Sequence, residues 1–150
     1  MCYLCEIYDK MKLVIWMNEL NVTYESIDSN KTFSNDLKAN FKDLITVFHQ
    51  NFREVDLTKF NERVKGLSIK KGNKYITKDA VEYNAKENVL YLNEEKIENV
   101  DAKHELMFAI LTMISANGNN YGFDVNGKLK VLNVGITEIL TNFLVGNESE

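Results

Sequence analysis

The sequence predicts an α+β domain, and three observations carry that prediction. Apolar residues recur at helical spacing from Leu4 to Val64, a β-prone stretch broken by polar turns occupies Lys70 to Asn93, and the segment Asp101 to Ala116 is apolar on nearly every side. At 150 residues with 45% hydrophobic composition, the chain has enough apolar area for one sizeable core. A single domain over 1–150 is expected, with about 1–33 as an N-terminal helix and connector and about 34–146 as the core.

Leu4, Ile7, Tyr8, Met11, Val14 and Ile15 follow the i, i+3, i+4 rhythm, which predicts a first helix over about Tyr3 to Leu20. A polar stretch, Ser26 to Ser34, separates it from a second stripe, Leu37, Phe41, Leu44, Ile45, Phe48 and Phe52. Ser34 or Asn35 is the expected N-cap of that helix. A third, short helix over about Leu57 to Val64 should end at Gly66, which can take the left-handed conformation. Tyr75 and Ile76, Val81 and Tyr83, and Val89 to Leu92 are β-prone, and a hairpin turning around Asn84 to Asn88 is the simplest pairing. The apolar helix from Asp101 to Ala116 belongs in the middle of the domain. Asn117 to Gly127 reads as a Gly and Asn loop, and a last helix is expected from about Asn133 to Val145, stopping at Gly146.

The net charge is −4 and lysines are interspersed with acids, so no basic stripe is present to neutralise phosphates. Nucleic acid is therefore not an expected ligand. The longest strongly apolar run, Leu13 to Met17, is far short of the roughly 20 residues that span a bilayer. It is also too short for a signal-peptide core, so a cytoplasmic protein without a membrane partner is expected. Cys2 and Cys5 are too close in sequence for a structural disulfide to close any useful loop. The absence of proline and the abundance of Asn and Lys suit an AT-rich genome. Trp16, Phe41 and Phe48 sit at core spacing and read as packing residues.

Inside the central helix, the string Asp101-Ala102-Lys103-His104-Glu105-Leu106-Met107-Phe108 places a His-Glu pair in apolar company. About thirty residues on comes Leu132-Asn133-Val134-Gly135-Ile136-Thr137-Glu138. The first string resembles H-E-x-x-H and the second resembles N-E-G-x-T-E, the two motifs of gluzincin-type zinc metallopeptidases, in the order and on the elements that such proteins use. The resemblance implies a minimal zincin-like domain: N-terminal helices, a β-hairpin, a buried His-Glu helix and a C-terminal helix.

The same resemblance marks what is missing. The second histidine is Phe108 and the third ligand is Val134, so His104 alone remains of three zinc ligands. A catalytic zinc needs three protein donors and an open position, and one imidazole does not hold it. The implied protein is a degenerate, non-catalytic member without a metal, whose vestigial residues are His104, Glu105 and Glu138. It should fold without metal, and Phe108 and Val134 should occupy the volume that a metal site would have used. The resemblance further implies a buried hydrogen bond between His104 and Glu138, with Glu105 lining a residual cleft.

Function is then expected to be protein binding, with the partner unspecified; small phage or mobile-element inhibitors of host systems have this size and acidity. Two alternatives stand beside it. One is an active zinc metallopeptidase in which Glu138, Glu105 or the N-terminal cysteines substitute as ligands. The other is a thiol redox protein acting through Cys2 and Cys5, because Cys2-Tyr3-Leu4-Cys5 ahead of a helix is superficially similar to a glutaredoxin opening. That fold needs a strand before the cysteines and a cis-proline, and this sequence offers neither. A structural metal site joining both cysteines with His49 or His104 would need ligands from distant segments.

Overall fold

In the computed structural model, residues 3–72, 80–93, 102–117, 120–122 and 129–146 are described. Helix α1 (Tyr3–Asp28) is followed by α2 (Asn35–Asn51) and α3 (Thr58–Gly66), then by strands β1 (Ser68–Gly72), β2 (Val81–Asn84) and β3 (Val89–Asn93). Helix α4 (Ala102–Ile114), the short strands β4 (Ala116–Asn117) and β5 (Asn120–Tyr121), and helix α5 (Lys130–Val145) complete an α+β architecture.

α1 does not stop near Leu20. Its apolar face changes sides: Leu20, Thr23 and Ile27 are buried, whereas Leu4, Tyr8, Met11 and Ile15 on the preceding turns are exposed. The polar residues at the buried end are satisfied within the helix, since the hydroxyls of Thr23 and Ser26 donate to the carbonyls of Glu19 and Val22 at 3.2 and 2.8 Å. That satisfaction lets the helix run through what reads as a connector.

α2 forms as its stripe and cap predict. Ser34 accepts from the Leu37 N–H at 3.2 Å, and Leu37, Phe41, Leu44, Ile45 and Phe48 are buried. Phe52 ends the helix as its C-cap rather than continuing the stripe. At the end of α3 the left-handed glycine is not used: among the described residues only Asn88, Gly122 and Gly146 have positive φ. The chain passes through an extended Leu67 straight into β1. Asn30 supplies the termination instead, its amide donating to the carbonyls of Val64 and Leu67 at 2.7 and 2.8 Å.

The predicted hairpin is β2–β3, antiparallel, with Asn88 at φ 52 in the turn, a conformation that asparagine tolerates. β1 adds to it in parallel, giving the order β1-β3-β2. Tyr75 and Ile76 lie outside the described residues. The hairpin is fastened to α3 by a polar knot. The Arg63 guanidinium donates to the Tyr83 hydroxyl and the Ala85 carbonyl at 2.9 and 3.0 Å, Tyr83 donates to Asn88 Oδ1 at 2.8 Å, and Asn88 returns a bond to the Arg63 carbonyl at 3.0 Å. Burial raises the Tyr83 pKa, with the Arg63 hydrogen bond and charge opposing it, so Tyr83 stays a donor.

The core is one cluster running from Ile27 of α1 through Phe41, Ile45, Phe60 and Leu90 to Met107 and Ile110 of α4. α4 is the central helix, packed against α2, α3, β2 and α5. Part of the expected Asn117–Gly127 loop is the β4–β5 ribbon. α5 starts at Lys130, earlier than Asn133, and ends at Gly146, whose positive φ and bond to the Asn142 carbonyl at 2.9 Å terminate it as expected.

Candidate binding cleft

α5 lies along α4, and β2 crosses the same side of α4, so the three elements enclose a cleft of about 470 Å³. The residues singled out by the two sequence strings meet here. His104, Glu105 and Phe108 line it from α4, and Val134 and Glu138 line it from α5. The i, i+4 spacing of 104 with 108, and of 134 with 138, presents each pair on one helix face.

His104 Nε2 lies 2.8 Å from Glu138 Oε1 and 3.2 Å from Asn142 Oδ1. Both neighbours are acceptors, so Nε2 carries the proton and donates to them. The His104–Glu138 contact is thus present, but its expected burial is not: the side chains are 32% and 45% exposed. They sit at the mouth of a water-accessible cleft, where such a solvent-exposed contact is worth little. Replacing Glu138 with Ala is accordingly expected to cost only about 0.3 to 1 kcal/mol, because water and Asn142 take over the imidazole. Urea unfolding of the variant checks this, and a loss of several kcal/mol would mean that the pair is sealed from water.

Phe108 is half-buried and Val134 is 41% exposed. The two apolar groups line the space but do not close it, contrary to the expectation that repacking fills the volume. A zinc ion does not fit the donors present. Of the three matched ligand positions only His104 has a lone pair to offer, and the side chains at 108 and 134 have none. Among the described residues, no group of three or more His, Cys, Asp or Glu is placed to hold a metal.

The other sequence candidates lie elsewhere. Cys5 is an exposed free cysteine on α1, and Cys2 lies outside the described residues. His49 is fully buried on α2, with Nε2 3.5 Å from Glu19 Oε2 of α1. Phe41 and Phe48 are core residues, as read. Burial lowers the His49 pKa and Arg53 adds to that, while Glu19 acts the other way. The unfolded chain therefore takes up a proton near the ordinary histidine pKa, before the folded protein does. Stability conferred by the neutral imidazole is complete above about pH 6.5 and is lost as pH falls toward the depressed folded value, with a slope of at most about 1.4 kcal/mol per pH unit. Urea titrations at stepped pH should show this slope in the parent, and His49→Gln should flatten it.

The sequence reading missed several cleft residues. Val81, Glu82 and Tyr83 of β2 and Thr112 and Lys130 of the helices line the cleft, and Asn142 joins the His104 pair. Asn142 was accessible by spacing, one turn beyond Glu138 on the same face. The β2 residues were not, because their approach to α4 is a tertiary event.

The Asn93 N–H donates to the Ala80 carbonyl at 2.9 Å, which fixes the ladder's alternation. Glu82 and Asn84 exchange bonds with β3, so the backbone N–H and C=O groups of Val81 and Tyr83 point to the opposite edge of β2. β2 is an edge strand of the three-stranded sheet. No helix among the described residues is long and apolar enough to cross a membrane. No family model matches the chain, and neither curated proteins nor solved structures give a significant match.

Proposed function

We propose that this chain is a non-catalytic, metallopeptidase-like binding domain whose cleft takes an extended segment of a partner protein as an added strand beside β2. The observation that carries this reading is the convergence of His104, Glu105, Phe108, Val134 and Glu138 on one open cleft bordered by an edge strand. Strand addition uses main-chain hydrogen bonds for affinity and alternate side-chain pockets for selectivity. The outward backbone groups of Val81 and Tyr83 would supply the first. Phe108 and Val134 would supply an apolar pocket, and Lys130 and the His104–Glu138 pair would supply polar selection at its rim. Zincin-like ancestry explains why two helices present these residues to a common space, and the apolar groups at 108 and 134 explain why binding without hydrolysis is its present use. A phage or mobile-element inhibitor is one biological setting for such a domain.

The test is a display screen of random peptides against the parent and against Val134→Trp, a bulky change at a partly exposed position that fills the cleft. Peptides selected by the parent should bind the variant at least about tenfold more weakly, a loss of about 1.4 kcal/mol. Equal binding by the variant, or chelator-sensitive cleavage of the selected peptides, would overturn the proposal.

A further inference from the structure

The projecting half of α1 carries a second apolar face that the domain does not use. Leu4, Tyr8, Met11, Ile15, Asn18 and Val22 alternate spacings of four and three, the seam of a coiled coil. The apolar members of this seam are 52–73% exposed. Leu20, Thr23 and Ile27, on the opposite side of the same helix, are the ones buried against the protein's own body. From Leu4 to Ile15 the seam is therefore clear of the domain's own body.

We propose that this face pairs with the same face of a second copy, forming a parallel, two-stranded coiled coil that makes the protein a dimer. Ile15 and Val22 occupy one set of seam positions with Tyr8, and Leu4 and Met11 the other. β-branched residues at the first set with unbranched or γ-branched ones at the second favour two parallel strands. Ile7, Lys10, Met11, Val14 and Ile15 border a depression of about 350 Å³ beside the seam, which extends the exposed apolar surface on this side of the helix.

Charge and area agree with a second copy as occupant. In parallel register the flanking residues Ile7 and Val14 face Lys12 and Glu19 of the other copy, so like charges do not meet across the seam. Leu4, Ile7, Tyr8, Met11, Val14 and Ile15 are 38–73% exposed. At roughly 150–230 Å² per side chain they present on the order of 600 Å² per copy and ~1,200 Å² for a pair, the lower bound of a stable specific interface. The seam is short, but the helix is already nucleated by the folded body at its C-terminal end, which removes the largest cost of forming a short coiled coil.

Sedimentation equilibrium of the full chain should show a dimer at roughly 10 μM. Met11→Glu with Ile15→Glu should make it monomeric while leaving the near-ultraviolet dichroism of the core unchanged. Orientation is read from Leu4→Cys, at the end of the seam, in a background with Cys2 and Cys5 changed to Ser, which should oxidise to a covalent dimer. A parent that stays monomeric, including one whose arm binds lipid vesicles or a selected peptide instead, overturns the proposal. So does a dimer that survives the double glutamate change, and a dimer that the introduced cysteines fail to link overturns its parallel arrangement. Val134→Trp should dimerise like the parent, which separates this inference from the cleft reading.

Discussion

The double variant Phe108→His with Val134→Glu is expected to bind zinc about 100-fold or more tightly than the parent, the largest change anticipated for this protein. On the metallopeptidase-like reading, positions 104, 108 and 134 face one point, and the substitutions would place two imidazoles and a carboxylate around it with a fourth position open. Both positions line the cleft with His104 and neither side chain is fully buried, so the new polar groups need not sit dry in the core. His104 must release the proton on Nε2, so binding should release protons and weaken as pH falls. Glu138 would accept from the metal-bound water or move aside. Each single change leaves the set one donor short and should bind weakly. The readout is calorimetric titration with zinc, supported by thermal unfolding. Zinc at 100 times its dissociation constant should raise stability by about 2.7 kcal/mol in the double variant. No gain over the parent would show that the three positions do not converge and would remove the peptidase-like reading.

Asn30→Ala is expected to cost about 2 to 4 kcal/mol, the largest loss anticipated for any single polar substitution. Asn30 is 3% exposed and lies where the end of α1 meets the end of α3. Its amide donates to the carbonyls of Val64 and Leu67, and its carbonyl oxygen accepts from the N–H and hydroxyl of Thr32 at 2.9 and 2.6 Å. Alanine would leave the two carbonyls at the exit of α3 with only their longer contacts, from the Leu67 N–H at 3.4 Å and the Thr32 hydroxyl at 3.3 Å, and would free the turn that carries the chain into α2. Four hydrogen bonds at a buried junction are lost together, so the penalty exceeds that of losing one surface contact. Urea unfolding measures the loss, and Asn30→Asp should be nearly as damaging because a carboxylate cannot donate. A cost under about 0.5 kcal/mol would mean that water substitutes freely at this junction.

The sequence was informative where structure is local. The Ser34 cap and the stripe from Leu37 to Phe48 define α2 by themselves, and the turn around Asn84 to Asn88 identifies the hairpin. It was misleading where one helix serves two environments. α1 looks finished near Leu20 because its apolar face rotates to the other side there. β1 was invisible, since Ser-Ile-Lys-Lys-Gly has one apolar residue and becomes a strand only by pairing with β3, Ser68 opposite Val89 and Gly72 opposite Asn93. At the cleft, the two strings anticipated which side chains would meet but not how wet the meeting place is. Exposure of His104 and Glu138 depends on how far α5 stands from β2, which no local pattern encodes.

α5 has one further consequence for the cleft it walls. Its buried residues are Asn133, Thr137 and Thr141, while Val131, Leu132, Ile139 and Phe143 face outward. The threonine hydroxyls donate to carbonyls of their own helix at 2.7 Å, so they add nothing to the hold on α4. Leu140, Leu144 and Val145 reach the core only partly. This wall is therefore seated by small side chains along its buried face and by Leu140, Leu144 and Val145, which pack partly buried against the core. On the proposed binding reading, α5, which has no fully buried apolar side chain, is the wall expected to shift when a segment enters, and α4, with Leu106, Met107, Ala109, Ile110, Leu111 and Met113 buried, is the fixed one. On that reading a bound segment would set the cleft's width to its own side chains, and several related sequences would be accommodated in place of one.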